Sequence, residues 1–282
     1  MGTLRGRVAV VTGASRGIGA AIARHFAAQG ALVVCVARTT VEGSRRLPGA
    51  LDTTLGDIRA VGGEAVAVPA DLADPAACEA VFEAAHNAFG PVDVLVNNAA
   101  LTWFAPIADF PVEGWMRSFA VNVHAPFLLS RLALADMIPR RSGAIVNVSS
   151  GAARGPGRGP YPTPPVLRHG VLYGTEKAAL ERFTQGLAEE VYPFGITVAG
   201  LSPSQVVLTP GVVHHSAVYD RNDDDIEAPD LMPRAAALLA SAPTDEVTGR
   251  VCYSQALLVE FGQLDAGRGL GIDEPGSGYA QL

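Results

Sequence analysis

The sequence predicts an α/β fold, a single doubly wound parallel sheet of about seven strands with helices on both faces. Three observations predict it. Strand-like and helix-like patterns alternate from the first residues onward. The strand segments read as unbroken apolar runs, as parallel strands covered on both faces must. A glycine-rich turn, Thr12-Gly13-Ala14-Ser15-Arg16-Gly17-Ile18-Gly19, joins the first strand to the first helix.

Taken in order, Arg7–Thr12 is the first strand, and the helix from Arg16 to Gln29 places Ile18, Ile22 and Phe26 on one face before Gly30 stops it. Ala31–Ala37 is the second strand. Glu64–Pro69, Val92–Val96, Ala144–Ser149 and Ile196–Leu201 follow as further strands, and Val247–Arg250 leads toward a last one. Between them lie helices, the longest over Pro111–Ile138 and Leu172–Tyr192. Such alternation implies right-handed crossovers, hence a Rossmann-type sheet in one domain over 1–264. Three segments break the rhythm. Thr39–Ala50 is long for a strand-to-helix connection. Gly151–Gly170 is too rich in Gly and Pro for a regular helix. The tail over 265–282 is glycine-rich and reads as loosely ordered.

Composition bounds the partners. At 282 residues and 49% hydrophobic content the chain can bury a core on both sheet faces. A net charge of −7 disfavours nucleic acid and anionic membranes. No uninterrupted apolar run approaches the ~20 residues that span a bilayer. The opening residues leave no room for a secretory signal, and Gly6 stands where a myristoylation site takes Ser or Thr. Cys35, Cys78 and Cys252 lack metal-ligand spacing and read as thiols in a reducing, cytoplasmic compartment. No metal is expected: adjacent His214-His215 cannot face one point on a helix, and Asp223-Asp224-Asp225 reads as solvated charge.

The glycine turn lets backbone approach a pyrophosphate, whose charge lies over a helix N-terminus. An acidic residue ending the second strand would bond a ribose 2′-hydroxyl and repel a 2′-phosphate. This chain has Ala37 and Arg38 there, with Arg16 in reach. Two guanidiniums and no carboxylate favour NADP(H) over NAD(H), the alternative being that Arg38 only solvates a loop.

Tyr173 and Lys177 share one helix face. Free tyrosine titrates near ~10, so proton transfer near neutrality needs its anion stabilised by ~3–4 kcal/mol. An ammonium ~4 Å away at an effective dielectric of ~20 supplies that.

With these motifs the chain resembles the short-chain dehydrogenase/reductase family over roughly Arg7 to Val259, and within it looks more like the hydroxysteroid-dehydrogenase-like branch. T-G-x-x-x-G-x-G is matched at Thr12–Gly19, and N-N-A-G at Asn97–Ala100 with alanine last. The resemblance implies a cofactor site of Gly13, Ser15, Arg16, Gly17, Ile18, Gly19, Arg38, Asp71, Leu72, Asn98, Lys177, Val207 and Thr209. It implies a catalytic set of Asn122, Ser150, Tyr173 and Lys177 acting on a small carbonyl or alcohol. Tyr173 would exchange the proton, Ser150 orient the carbonyl, Lys177 also bond the nicotinamide ribose, and Asn122 hold a relay water. Ser149 competes with Ser150; Asp71 could instead cap a helix near Pro75; Asn97 and Asn98 could be turn residues; Asn122 could bond its own backbone. The resemblance further implies a homodimer or homotetramer paired through the two long helices.

Two departures stand out. Ser150 and Tyr173 are 173 − 150 = 23 residues apart, longer than the family's spacing. The added segment carries Arg154, Arg158 and Arg168, so it either lids the substrate pocket for acidic or thioester-bearing substrates or is a solvent-facing insertion. After the sixth strand, Ser204 replaces a usual glycine in a substrate-loop region over about 203–240. Trp103, Phe104 and Trp115 hint at an apolar ligand. A catalytically retired NADP(H)-binding regulator, or an epimerase or lyase on the same scaffold, would share much of this pattern.

Overall fold

The computed structural model describes residues 2–161, 169–214 and 226–273. Seven parallel strands form one sheet: β1 (Val8–Thr12), β2 (Leu32–Ala37), β3 (Glu64–Pro69), β4 (Val94–Asn97), β5 (Gly143–Val148), β6 (Ile196–Ser202) and β7 (Val251–Tyr253). Their spatial order is β3-β2-β1-β4-β5-β6-β7. The order reverses between β1 and β4, which opens a crevice at the carboxyl ends of the strands. The seventh strand is short and begins just past Val247–Arg250.

Alternation along each strand divides the core. Ala9, Val11, Val33, Cys35, Val94 and Val146 face one side. There they pack against α1 (Gly17–Ala28), α2 (Leu51–Ala60) and, from later in the chain, α8 (Leu231–Ser241) and α10 (Ser254–Glu260). Val8, Val10, Val34, Leu95, Ile145 and Val198 face the other. That side is covered by α3 (Pro75–Ala88), α5 (Ala125–Arg140) and α6 (Val171–Val191). The edge strand β3 alternates buried and exposed residues, while β4, β5 and β6 are buried throughout.

The helix read as continuous over Pro111–Ile138 is interrupted. It begins as α4 (Val112–Phe119), passes through a π turn at Ala120–His124, and resumes as α5. Val112–Arg140 is long and apolar enough to cross a membrane. Part of its apolarity is used internally: Ala125, Leu129, Ala133 and Met137 are fully buried against the sheet, while Val112, Met116 and Phe127 are exposed.

The chain from Thr39 to Ala50 contains no helix or strand and forms the long strand-to-helix connection expected there. Beyond β6 come α7 (Pro210–His214) and, between α8 and β7, α9 (Thr244–Val247). The tail departs from expectation. Residues 265–273 are docked on the domain, with the Leu270 amide donating to the Ser204 carbonyl at 2.8 Å and the Arg268 amide to Gln255 Oε1 at 3.0 Å. Composition misled because glycine serves close approach as well as flexibility. Residues 274–282, Arg168, His215 and Asp223–Asp225 lie outside the described residues.

Candidate active site

A single cleft of about 2380 Å³ runs along the carboxyl edge of the sheet, lined from Gly13 and Arg38 at one end to Tyr173 and Leu270 at the other. At its first end α1 points its N-terminus inward, with no side chain capping it and no acidic residue in its first turn. An uncapped, uncontested helix start fits an anion. The turn is pinned from behind. Asn98 Nδ2 donates to the Thr12 carbonyl at 2.7 Å, and Thr12 Oγ1 accepts from the Asn98 and Ala99 amides at 2.9 and 3.0 Å. A side chain at Gly13 would strike Asn98 Nδ2 at 2.7 Å, and one at Gly19 would collide with it as well. Asn98 lines the cleft while holding the turn to β4. Gly17 has φ +55°, and a Cβ there would stand 3.0 Å from Thr209 Cγ2. Thr209 thus closes over the turn from β6's side, its Oγ1 accepting the Val212 amide at 3.1 Å.

Ser15, Ile18, Leu72 and Val207 also line the cleft. Arg16 reaches across to Thr39 Oγ1 and the Gly49 carbonyl, both at 2.9 Å, leaving its buried Nε without a partner. Arg38, Arg45 and Arg46 line the same end. The last two come from the long Thr39–Ala50 loop and were missed by motif reading, because no fixed spacing announces them. Asp71 lines the cleft in an ion pair with Arg117 at 2.5 Å. The cap of α3 is Asp74, whose Oδ1 accepts the Ala76 amide at 3.0 Å, so Asp71 is not a capping residue. Glycine backbone, an open helix start and a cluster of arginines fit a dinucleotide with an added phosphate.

At the other end, β5 delivers Ser149 and Ser150, and α6 delivers Tyr173 and Lys177. Ser149 is buried and donates to Glu181 Oε1 at 2.7 Å. Ser150 is half-buried on the cleft wall, its Oγ accepting the Ala152 amide at 3.2 Å. The two serines have separate jobs, and Ser150 is the one turned to the cleft. The following turn, Gly151–Ala153, packs against the start of α6. That approach depends on Gly174, where a Cβ would lie 2.8 Å from the Ala152 carbonyl oxygen. The long insertion between Ser150 and Tyr173 therefore leaves and returns without separating the two walls. Of its residues, Arg154 and Tyr161 line the cleft, whereas Arg158 does not.

Lys177 Nζ donates to the Val148 carbonyl at 2.7 Å and lies 5.6 Å from the Tyr173 ring centroid. Burial pushes the lysine down to about 8, against the pull of Glu176 and Glu181. Burial likewise raises Glu181 to about 6 and raises Glu176, despite their hydrogen bonds and the lysine's charge. Two buried carboxylates around one buried ammonium were invisible to the motif, which specifies only the tyrosine and lysine.

Asn122 lies in the π turn with its amide engaged: Oδ1 accepts the Leu101 amide at 2.9 Å, and Nδ2 donates to the Leu101 carbonyl at 2.6 Å and Glu176 Oε2 at 2.5 Å. Its bonds reach Leu101, Glu176 and, at 3.3 Å, the Ser118 hydroxyl, not its own helix backbone. Phe104 meets Tyr173 edge-on, with ring centroids 6.4 Å apart, and lines the cleft. Trp115 instead stacks on Phe119, and Trp103 is not part of the lining.

The segment leaving β6 is rooted in a buried carboxylate that sequence reading missed. Glu227 Oε2 accepts the Ser204 and Gln205 amides at 2.8 and 3.1 Å, and Ser254 Oγ donates to Glu227 Oε1 at 2.7 Å. Ser204 is buried among these bonds, which is why the usual glycine can be a serine here.

A sheet reversing at a glycine turn, with tyrosine, lysine and serine at the far end of the same crevice, defines a nucleotide-dependent oxidoreductase scaffold. Residues 7–217 match the short chain dehydrogenase family, and the chain belongs to that family of dehydrogenases and reductases. A short chain dehydrogenase of Pseudocercospora fijiensis is 37% identical over 207 residues, 73% of this chain and 61% of that protein's length. The 3beta-hydroxysteroid dehydrogenase 1 of Eggerthella lenta is 31% identical over 94% of this chain and 98% of its own. Among solved structures, a metagenomic short-chain oxidoreductase in complex with NADP is 32% identical, with a TM-score of 0.72 covering 89% of this chain and 98% of that one.

Proposed function

We propose that this chain is an NADP(H)-dependent oxidoreductase that interconverts a secondary alcohol and a ketone, or an alcohol and an aldehyde. The observation carrying this reading is Lys177 lying beside the Tyr173 ring at one end of a cleft whose other end is an open helix start flanked by arginines. The NADP bound by the metagenomic relative supports the choice of cofactor.

Gly13, Ser15, Gly17, Ile18 and Gly19 would hold the pyrophosphate. Arg16 and Arg38, joined by Arg45 and Arg46, would hold the 2′-phosphate through charge-assisted bonds. Asp71 and Leu72 would flank the adenine; Asn98, Val207 and Thr209 would border the nicotinamide half. When bound, the reduced nicotinamide supplies the hydride. Ser150 Oγ hydrogen-bonds the carbonyl oxygen and fixes its orientation. Tyr173 donates its phenolic proton to that oxygen as negative charge develops there. The Lys177 ammonium stabilises the phenolate left behind. Asn122 would hold Glu176 beside the lysine through Nδ2, while Oδ1, which accepts only the Leu101 amide, keeps a lone pair for the relay water.

The substrate is a small organic carbonyl or alcohol. Exposed Val112, Met116 and Phe127, with Phe127 edge-on to Phe183 of α6, support pairing into a dimer or tetramer through these helices. Free cysteines support a reducing, cytoplasmic location.

The deciding experiment is Tyr173→Phe, assayed by NADPH oxidation against a panel of ketones and aldehydes. Turnover should fall by about 10²–10⁴, with NADPH affinity near wild type. Equal turnover in the variant would refute the proton-donor role.

A further inference from the structure

The docked end of the chain supplies a wall that no motif announces. Leu264 packs on the core, and its amide donates to the Leu258 carbonyl at 3.1 Å. From there the strap crosses the β7–α10 corner toward the cleft, held by Gln255 and Ser204. Three glycines let it press close. A Cβ at Gly267 would stand 3.1 Å from Gln255 Cβ, one at Gly269 2.6 Å from Gln205 Cγ, and one at Gly271 3.0 Å from Tyr253 Cδ2. The φ values of +84° and +85° at Gly269 and Gly271 turn the backbone sharply on either side of Leu270.

That geometry projects Leu270 onto the residue after the catalytic serine. Leu270 Cδ1 lies 2.6 Å from where a Cβ of Gly151 would stand, and the leucine lines the cleft. Phe104, against the Tyr173 ring, and Ile107 add apolar surface to the same cleft lining. A carbonyl carbon held by Ser150 and Tyr173 would have Leu270 beside it on the serine side, next to Gly151, and Phe104 beside it on the tyrosine side.

We propose that Leu270 is a specificity-determining residue, limiting the bulk of the carbonyl substituent on the serine side and selecting ketones borne on an apolar frame. This inference rests on the oxidoreductase reading above. A methyl-sized change in an apolar pocket alters discrimination by about 10–200-fold, enough to measure.

The test uses the full chain with NADPH and compares kcat/KM for acetophenone with that for isobutyrophenone, whose alkyl side is branched. Leu270→Ala should raise the ratio of branched to unbranched ketone by about tenfold or more, and Leu270→Phe should lower it. NADPH affinity should stay within about twofold in both, because Leu270 meets Gly151 and Ser204 and belongs to neither the glycine turn nor the arginine cluster that would hold the phosphates. An unchanged ratio in both variants, with wild-type turnover intact, would overturn the assignment of Leu270 alone. Failure of the wild type to reduce either ketone or any other carbonyl, while still binding NADPH, would overturn the oxidoreductase reading and this inference with it.

Discussion

Replacing Glu181 with glutamine should move the alkaline limit of carbonyl reduction to lower pH. Glu181 is buried, four residues after Lys177 on α6, and its Oε1 accepts from Ser149. Glutamine keeps an oxygen for Ser149 and removes only the charge. Neighbours at this helical spacing sit ~6 Å apart. At an effective dielectric of ~20 the attraction is then ~3 kcal/mol, or ~2 pH units. Partial compensation by Glu176 reduces that to about one unit or somewhat more. Lys177 starts at about 8 because burial disfavours its charge. Reduction needs the ammonium, so kcat/KM should fall as pH rises through about 8 in the wild type, and about one unit earlier in Glu181→Gln. Stability runs the other way. The folded lysine binds its proton less tightly than the unfolded one at 10.5, so its burial cost is complete below about 8 and fades as pH climbs toward 10.5. The assay is initial-rate NADPH oxidation at subsaturating ketone across the range, with NADPH affinity measured at each pH. Superimposable alkaline limbs in the two proteins would refute the claim that Glu181 holds the proton on Lys177.

Two further outcomes are expected. Arg38→Asp should weaken NADPH relative to NADH by at least about tenfold, since one phosphate contact becomes a repulsion; an unaltered ratio of kcat/KM for the two cofactors would count against the phosphate assignment. Gly17→Ala places a methyl 3.0 Å from Thr209 at φ +55°, so NADPH affinity should drop while the far-ultraviolet circular dichroism stays native; unimpaired binding by calorimetry would show that the turn need not hold this shape.

The strands, the glycine turn and the Tyr173–Lys177 pair were legible because each follows a local rule. A buried parallel strand must be apolar, a backbone near phosphate must be bare, and side chains four residues apart on a helix share one face. What escaped was set by distant contacts. Glu181 and Glu176 look like ordinary surface residues of an amphipathic helix until the sheet is folded over them. Glu227 acquires its meaning only from Ser204 and Ser254, each more than 20 residues away. Gly267, Gly269 and Gly271 suggested looseness from composition, yet each is crowded by a neighbouring side chain or carbonyl. Asn122 was found by likeness to a motif, but the π turn around it, and the Leu101 and Glu176 bonds that employ its amide, have no local signature.

The Glu227 knot couples two strand ends. One carboxylate, just ahead of α8, fastens Ser204 and Gln205 at the exit of β6, and Ser254 ties it to β7's end. Because that carboxylate is shared by the ends of two strands, removing it would loosen the β6 exit and the β7 corner together.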